Sequence, residues 1–254
     1  MKTSGNTILI TGGGSGIGRA LAEAFHALGN QVIISGRTAA TLDETTAANP
    51  GMKSLTVDMT DVASIQTFAT QLKQAYPSLN VLINNAGIMR PESLLSSEAG
   101  TADAEATVLT NLLGPIRLIT ALLPLLRQQP SAAVMNVTSG LAFIPLAATP
   151  TYCATKAAMH SYTESLRHQL RDTAVKVLEL APPYVATELM GEHQAEDPRA
   201  MPLGEFIAEV MQILQTQPTP NEILVRRVEP LRFAATGGTE NYAKVFETLN
   251  AMMH

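Results

Sequence analysis

The segment TYCATK places Tyr152 four residues before Lys156, a spacing that puts both side chains on one face of a helix. A phenol with an ordinary pKa of about 10 is a weak base at neutral pH, and a neighbouring cation lowers that pKa. A tyrosine tuned in this way gives a proton to a carbonyl oxygen or takes one from an alcohol. Taken alone, such a pair is more often plain helix surface, so the rest of the chain has to decide.

A glycine-rich segment, TGGGSGIG, lies between the first apolar run and the first helical pattern. A strand, a turn with few side chains and a helix N-terminus form an anion site, because backbone N–H groups and the helix dipole face the ligand. In the first turn of a parallel sheet this is where dinucleotides bind, whereas the alternative is a tight turn that binds nothing. The residues predicted to bind a cofactor here are Gly12, Ser15, Gly16, Ile17 and Gly18.

The elements that position these motifs follow from hydrophobic periodicity. Short aliphatic runs alternate with helical patterns up to residue 180, which predicts a mostly parallel sheet with helices on both faces. Right-handed crossovers give a doubly wound α/β Rossmann fold of about seven strands, with its ligand crevice at the carboxyl ends of the strands. The predicted strands are 7–11, 31–35, 54–58, 80–85, 132–139, 175–180 and 222–225. The predicted helices are 16–28, 38–48, 61–75, 101–128 (kinked at Gly114-Pro115), 150–172 and 240–252.

No linker divides the chain, so we predict one nucleotide-binding domain over 1–254. The polar stretch that begins near residue 186 predicts a substrate lid over about 186–220.

Composition excludes several classes of function. The chain is 46% hydrophobic and 15% charged, which is typical of a compact globular protein. A net charge of -5 without a run of Lys or Arg argues against nucleic-acid and membrane-surface partners. Breaks at Gly114, Pro115 and Pro124 argue against a membrane span around 112–126. The single cysteine, Cys153, fits a reducing compartment, and no signal peptide is evident, so we expect a cytoplasmic protein.

Two other kinds of catalytic site lack support in the sequence. His160, His168 and His193 show no metal-ligand spacing with a nearby carboxylate or the lone cysteine, so no metal is expected. Ser139 does not lie in a G-x-S-x-G motif, which argues against a hydrolase triad.

Several motifs occur in a fixed order over about the first 190 residues: TGGGSGIG, NNAG (84–87), VLTNLLG, NVTSG and YxxxK. Their order and spacing resemble those of the classical short-chain dehydrogenase/reductase family. Within it, PPYVATEL and VRRVEPLRFA are similar to an oxidoreductase branch associated with lipoteichoic-acid D-alanylation operons. The resemblance implies a nicotinamide cofactor that carries the hydride. It also implies a catalytic tetrad of Asn111, Ser139, Tyr152 and Lys156.

The resemblance gives these residues roles. Ser139 would hydrogen-bond the reacting oxygen, Lys156 would also hold the nicotinamide ribose, and Asn111 would order a water that relays protons to Lys156. As isolated residues, Ser139 could cap a strand end, Asn111 could bond to backbone and Asn85 could serve only its turn. The further cofactor contacts implied are Asn85, Ala86, Gly87, Tyr152, Lys156, Pro182 and Thr187.

The segment ISGRT, after the second strand, bears on the choice of cofactor. Gly36 stands where NAD-selective relatives usually carry an aspartate, and Arg37 can pair with a 2′-phosphate. NADP(H) is therefore favoured. NAD(H) stays possible, because Arg37 could merely stack on adenine and Ser15 stands where NADP-selective members often have a basic residue. Asp58 resembles the family's adenine-contacting aspartate, or else caps the following helix.

The side chains around the presumed pocket are mostly apolar, which favours an apolar ketone or secondary alcohol as substrate, although half of them could be core. The predicted pocket residues are Ile88, Met89, Leu141, Phe143, Ile144, Tyr184, Leu189 and Met190.

The sequence departs from the family at Pro183, where a glycine is usual, and it lacks the C-terminal Gly-Gly ending. A homo-oligomer, dimer or tetramer, is expected by analogy with the family.

The leading hypothesis is an NADP(H)-dependent carbonyl reductase or alcohol dehydrogenase. The main alternative is a nicotinamide-sensing binding protein that lost catalysis, for which Pro183 leaves room. A reductase of carrier-bound acyl chains would need a basic docking patch near the crevice, and none is obvious. An epimerase or dehydratase does not suit the glycine spacing or the chain length.

Overall fold

The structure is a computed structural model that describes residues 1–93, 95, 100–217 and 219–252. Within these residues one sheet is formed by β1 (Thr7–Thr11), β2 (Gln31–Gly36), β3 (Lys53–Thr56), β4 (Val81–Asn84), β5 (Ala132–Val137), β6 (Val175–Leu180) and β7 (Glu222–Ile223). All pairings are parallel, in the order β3-β2-β1-β4-β5-β6-β7. The order changes direction between β1 and β4, which is where ligands bind in open parallel sheets. The predicted single-domain fold is confirmed.

Helices cover both faces of the sheet. They are α1 (Gly16–Ala27), α2 (Ala39–Ala48), α3 (Val62–Ala75), α4 (Ala102–Val108), α5 (Gly114–Leu126), α6 (Pro150–Gln169), α7 (Glu192–Ala195), α8 (Leu203–Thr216), α9 (Glu229–Arg232) and α10 (Gly238–Met252). On one face, α1 and α8 bury Leu21, Phe25 and Phe206 against the sheet. On the other face, α3 and α5 bury Phe68 and Leu122. Because both faces are covered, the central strands read as continuous apolar runs.

A π-helical turn, Leu109–Leu113, joins α4 to α5 immediately before the predicted kink at Gly114-Pro115. The N–H of Gly114 donates to the carbonyl of Leu109, five residues back, and Pro115 has no N–H to restore the ordinary pattern. A Cβ on Gly114 would lie 2.6 Å from the Met59 carbonyl oxygen, so only glycine permits this approach. The widened turn carries Asn111, in keeping with the frequent occurrence of π-turns at functional sites.

Four predicted strands are too long at their carboxyl ends, namely 54–58, 80–85, 132–139 and 222–225, and two of these bear on the site. β3 ends at Thr56 and β5 at Val137, so Asp58 and Ser139 lie in the loops just beyond the strands. Both residues therefore stand at the crevice edge of the sheet and not within its hydrogen-bonded ladder.

The predicted lid segment holds α7 and α8. Phe206, Val210 and Leu214 of α8 are buried, so this half of the segment is part of the core. A parallel bridge between Val185 and Met201 closes the base of the other half. Met201 is buried in the same core and Gln194 is buried as well, so the mostly exposed residues 186–199 are the part of the segment that is least packed. The lid remains a prediction, and residue 218 lies outside the described residues.

The helical run Ala102–Leu126 has a mean hydropathy of 1.6 in its most apolar window, and by length and composition it could cross a membrane. A core helix of a soluble protein passes the same test. Leu118, Leu122 and Leu126 pack in the core on the α3 face of the sheet, and 39% of this window is buried.

Candidate active site

The glycine loop between β1 and α1 approaches the end of β4 more closely than side chains allow. Gly12 has φ +67°, and a Cβ there would lie 2.9 Å from the Ala86 Cα and from Asn85 Nδ2. A Cβ on Gly18 would lie 2.1 Å from the Gly12 carbonyl oxygen. Ser15 is the N-cap of α1, and its side chain makes no capping hydrogen bond. The loop therefore presents backbone and a helix N-terminus to the crevice, as an anion site requires.

Asn85 ties this loop to β4. Its Nδ2 donates to the carbonyls of Thr11 and Gly12, at 3.0 and 3.3 Å, and its backbone N–H donates to the Thr11 hydroxyl at 3.0 Å. The N–H of Ala86 donates to the same hydroxyl. The Asn85 side chain thus supports the turn, which is the structural role that the sequence left open for it. Ile17, another predicted cofactor residue, packs its side chain against the core.

A cavity of about 200 Å³ lies beside the loop. It brings together six of the predicted cofactor residues, namely Gly12, Ser15, Arg37, Asp58, Ala86 and Gly87. The rest of its lining is Gly14, Gly36, Thr38, Thr41, Leu42, Val57, Met59, Ile88 and Thr110.

Asp58 keeps its negative charge in this cavity. It accepts hydrogen bonds from the backbone N–H and the hydroxyl of Thr60, and these together with the charge of Arg37 lower the pKa of its carboxyl. The N-cap of α3 is Asp61, whose side chain accepts from the Ala63 N–H at 2.9 Å. Asp58 is therefore not the helix cap, and its position is that of a cavity residue.

Lys156 is a buried cation on α6, only 5% exposed. Its Nζ donates to the Val137 carbonyl at 2.9 Å and lies 5.5 Å from the centroid of the Tyr152 ring. Burial lowers the pKa of Lys156 to about 8, against an opposing effect of Glu179. A Cβ on Gly87 would lie 3.7 Å from Nζ, so the ammonium faces the end of β4.

Tyr152 is also buried, one turn before Lys156. Burial raises the pKa of its phenol above the ordinary value, and a hydrogen bond with Ser139 acts in the opposite direction. The sequence led us to expect a pKa lowered by Lys156; here desolvation prevails, because the whole pair lies in the dry interior. The phenol is therefore protonated at neutral pH. Ser139 Oγ also accepts from the Leu141 N–H at 3.1 Å, so it caps a short helical turn as well.

Asn111 reaches the chain that leaves β4. Its Oδ1 accepts from the Ile88 N–H at 2.9 Å and its Nδ2 donates to the Ile88 carbonyl at 2.8 Å. The Oδ1 also lies 3.3 Å from the point that a Cβ on Gly87 would occupy. Asn111 thus fixes the backbone beside Lys156, and this contact with backbone is one of the two roles that the sequence left open.

The loop after β6 completes the crevice. The Pro182 carbonyl accepts from the Gly140 N–H at 2.8 Å, which joins this loop to the one that carries Ser139. Thr187 lies across from the glycine loop, because its Cβ is 3.6 Å from the point that a Cβ on Gly16 would occupy. Its hydroxyl accepts from Gln194 Nε2 at 3.1 Å, which ties it to α7.

The pocket prediction included two residues that lie elsewhere. Phe143 packs edge-to-face on His160 at 4.8 Å and under the Arg232 guanidinium at 4.6 Å, and Ile144 is fully buried. Both follow the turn after Ser139 into the protein, which the sequence does not show. Met89 and Leu141, in contrast, pack beside Tyr152.

The sequence analysis missed a contribution from the C-terminal helix. Leu249 of α10 packs in the same cluster as Tyr152 and Leu141. Asn250 accepts a hydrogen bond from the Ala147 N–H at 2.6 Å and donates to the Pro145 carbonyl at 3.2 Å. The helix thereby holds the loop before α6, about a hundred residues away in sequence. An asparagine near a chain end gives no signal of such a contact.

A second cluster, also missed, lies behind the site. His160, Glu179 and Glu222 place potential metal-ligand atoms within 4.8 Å of one another. The absence of a metal-ligand spacing in the sequence gave no sign of this cluster, because the fold brings together residues distant in sequence. His160 Nδ1 already lies 2.8 Å from Glu179, and Arg232 binds both oxygens of Glu222. Since these ligand atoms have partners, we interpret the cluster as an ion-pair network.

The geometry defines a class of protein: a doubly wound sheet with a nucleotide crevice and a buried Tyr-Lys pair at its edge. The family model described as "short chain dehydrogenase" matches residues 6–198. A curated relative, the uncharacterized oxidoreductase DltE of Bacillus subtilis (strain 168), is 41% identical over 254 residues and 98% of each chain.

Solved structures agree with this match. A short-chain dehydrogenase from Streptomyces avermitilis superposes with TM-score 0.82 at 27% identity, covering 99% of this chain and 100% of that one. One from Burkholderia cenocepacia, solved with NADP, gives TM-score 0.83 at 23% identity, covering 97% and 99%.

The chain belongs to the short-chain dehydrogenase family. It is a nicotinamide-dependent oxidoreductase of that family, and the predicted resemblance to the D-alanylation-operon branch is confirmed.

The glycine loop offers a first test. Gly12→Ala adds a methyl group that collides with Ala86 and Asn85, besides backbone strain of about 1–2 kcal/mol. We expect the variant to lose the rise in melting temperature that NADPH or NADH gives the wild type. Gly29→Ala is the matched control, because Gly29 has φ +79° and no atom within 4 Å of its added Cβ. Cofactor stabilisation that is equal in both variants would contradict the placement of the cofactor at this loop.

Proposed function

We propose that the protein is an NADP(H)-dependent carbonyl reductase, or an alcohol dehydrogenase in the reverse direction, that acts on an apolar ketone or secondary alcohol. The observation that supports this most is the meeting of three features at one sheet edge. The glycine loop follows β1, the cavity residue Arg37 follows β2, and the Tyr152–Lys156 pair lies on α6 after β5, so all three stand beyond the carboxyl ends of strands of one parallel sheet. These parts suit the diphosphate, the adenosine ribose and the reactive end of a dinucleotide, respectively.

A bound nicotinamide supplies the hydride in reduction and accepts it in oxidation. The chain's own groups handle the proton. Tyr152 is protonated at neutral pH because burial raises the pKa of its phenol, so it is in the form that donates to a carbonyl oxygen. Ser139 hydrogen-bonds the same phenol and can bond the substrate oxygen alongside it.

Lys156 supports this transfer. As an ammonium it stabilises the phenolate that Tyr152 becomes once its proton has left. Because the pKa of Lys156 is about 8, the ammonium group stabilises the phenolate below that pH, and this stabilisation declines as the pH rises through 8. Asn111 holds the Gly87–Ile88 backbone against the ammonium. We assign to it and to Lys156 the relay of the proton from solvent.

The preference for NADP(H) is part of the proposal and relies on the cavity. Arg37 lines it together with Gly36, Ser15 and Thr38, and no acidic side chain stands at Gly36 to bind a free ribose hydroxyl. Arg37 can therefore pair with a 2′-phosphate. Asp58 lines the same cavity, and we propose that it contacts the adenine.

The remaining parts of the proposal concern the surroundings of the site. Met89, Leu141 and Leu249 pack against the apolar cluster that contains Tyr152, and we propose that they give the reacting end an apolar wall. We propose that, of the segment predicted as a lid (186–220), the mostly exposed residues 186–199 close over it. We also propose a cytoplasmic protein that assembles as a homo-oligomer and has no nucleic-acid or membrane partner, by analogy with the family and from its charge of -5.

A binding protein that senses nicotinamide remains the second candidate, and Pro183 is the residue that favours it. Proline has no N–H to offer in the loop after β6, where the family has a more adaptable glycine. In this case cofactor would bind without turnover, and Pro183→Gly would be the change that restores it.

Replacement of Tyr152 tests the proposed mechanism. Tyr152→Phe removes the proton donor and keeps the ring, so we expect kcat with NADPH and an aryl ketone to fall about 10²- to 10⁴-fold. Cofactor binding, measured by thermal shift, should stay within error of the wild type. Tyr162→Phe is the matched control, because Tyr162 is a half-buried tyrosine of the same helix that packs on the core. Full turnover by Tyr152→Phe would rule out the mechanism.

Replacement of Arg37 tests the cofactor preference. Arg37→Ala removes a charged hydrogen bond, so we expect the KM for NADPH to rise about 10- to 100-fold while the KM for NADH changes little. Arg19→Ala serves as the control, since Arg19 stands next to the glycine loop but is already paired with Glu23 and Glu44. An unchanged ratio of NADPH to NADH efficiency in Arg37→Ala would show that this residue does not select the cofactor.

A further inference from the structure

Glu179 is a fully buried carboxylate between Leu178 and Leu180 in β6, a strand whose other charged residue, Lys176, is exposed. A glutamate without solvent exposure is rare and needs partners, because an unpaired buried charge is strongly unfavourable. Glu179 has two. Its Oε1 accepts from the Thr138 hydroxyl at 2.6 Å, and its Oε2 lies 2.8 Å from His160 Nδ1. Nothing in the mechanism above uses either contact.

These contacts reach the active site through three successive residues, the last residue of β5 and the two that follow it. The Val137 carbonyl accepts from Lys156 Nζ, the Thr138 hydroxyl donates to Glu179, and Ser139 hydrogen-bonds Tyr152. The Thr138 N–H also donates to the Leu180 carbonyl at 2.8 Å, so Thr138 is held by β6 at both ends. The position of Ser139 therefore depends on the residue that Glu179 anchors.

The second contact reaches the site along α6. His160 lies one turn after Lys156, on the same side of the helix. The charges that face Glu179 are Lys156, His160 and Glu164 of α6, Glu222 of β7 and Arg232 of α9. Glu222 and Arg232 neutralise each other through two contacts of 2.7 and 3.1 Å, and Glu164 is exposed. Glu179 is thus the buried negative charge left to balance the two basic groups of the helix.

We propose, on the basis of the function proposed above, that Glu179 is a positioning residue of the active site. Its carboxylate anchors Thr138, which places Ser139, and its charge stabilises the ammonium form of Lys156 from behind the helix. The first effect is geometric and the second electrostatic, so they can be measured separately.

The electrostatic effect has a definite sign. Glu179 raises the pKa of Lys156, while burial lowers that pKa to about 8. Removal of the charge leaves burial less opposed, so the ammonium should be lost at a lower pH. The pKa of His160 is raised chiefly by its hydrogen bond with Glu179. Removal of the Glu179 charge should therefore lower the pKa of His160 as well. Activity that needs the ammonium form should then decline earlier as the pH rises.

The test uses Glu179→Gln, which keeps the side-chain shape and an oxygen acceptor for Thr138 but removes the charge. We expect the alkaline limb of the kcat/KM profile for ketone reduction to move to lower pH by roughly 0.5 to 1 unit. The same shift should occur in the titration of Lys156 followed by NMR of ¹³Cε-labelled lysine, with its signal assigned by loss in Lys156→Arg. Glu164→Gln is the matched control: its carboxylate also faces His160 but is exposed, so both readouts should stay in place.

Thr138→Val tests the geometric effect and covers the case in which Glu179→Gln does not fold. We expect kcat to fall about tenfold or more while the Lys156 titration stays within error, because the charge is retained. Wild-type kcat in Thr138→Val, or a Glu179→Gln protein with both pH readouts unmoved, would overturn the proposal. If the wild type turns over no carbonyl, the proposed function fails, whereas the NMR titration still decides the effect of Glu179 on Lys156.

Discussion

The structure of the site depends on one buried charge, the ammonium group of Lys156. It donates to the carbonyl of Val137 and thereby joins α6 to the end of β5. Tyr152 lies one turn away on the same helix, and Gly87, at the end of β4, faces the ammonium without a side chain in between. A buried ammonium group is unfavourable unless polar or charged partners surround it. Here the Val137 carbonyl accepts its hydrogen bond and the carboxylate of Glu179 favours its charged form.

Much of this could be predicted from the sequence because it follows from local rules. Runs such as TILIT and VKVLEL predict buried parallel strands, and both match β1 and β6 residue for residue. The glycine spacing at Gly12 and Gly18 predicts a close approach of backbone, and the structure shows what each missing side chain would strike. The order of motifs predicts the family, which the comparisons confirm. The site residues follow parallel strands in the sequence, and the carboxyl ends of parallel strands meet at one edge of the sheet, so their location at that edge could be predicted.

Other features could not be predicted, since they depend on contacts between distant segments. The pattern of 101–128 predicts a kink, but it does not show the π-turn at Leu109–Leu113 or the close approach of Gly114 to the Met59 carbonyl. The pKa of the Tyr152 phenol is raised by burial, whereas the sequence led us to expect a lowered pKa, because the extent of burial depends on the whole fold. Glu179 looks like an interruption in a strand until His160 and Thr138 are seen beside it. Leu249 reaches the site only because α10 folds back over the loop before α6.

The most direct test of the central claim follows the hydride itself. Purified protein is mixed with NADPH deuterated at C4 of the nicotinamide and with a panel of aryl and alkyl ketones, and absorbance and product mass are measured together. The account predicts loss of the reduced-nicotinamide absorbance and deuterium on the carbinol carbon of at least one product. If the cofactor raises the melting temperature but no ketone gains deuterium, and no secondary alcohol is oxidised by NADP⁺ or NAD⁺, the Tyr152–Lys156 pair is not a catalytic site and the claim is wrong.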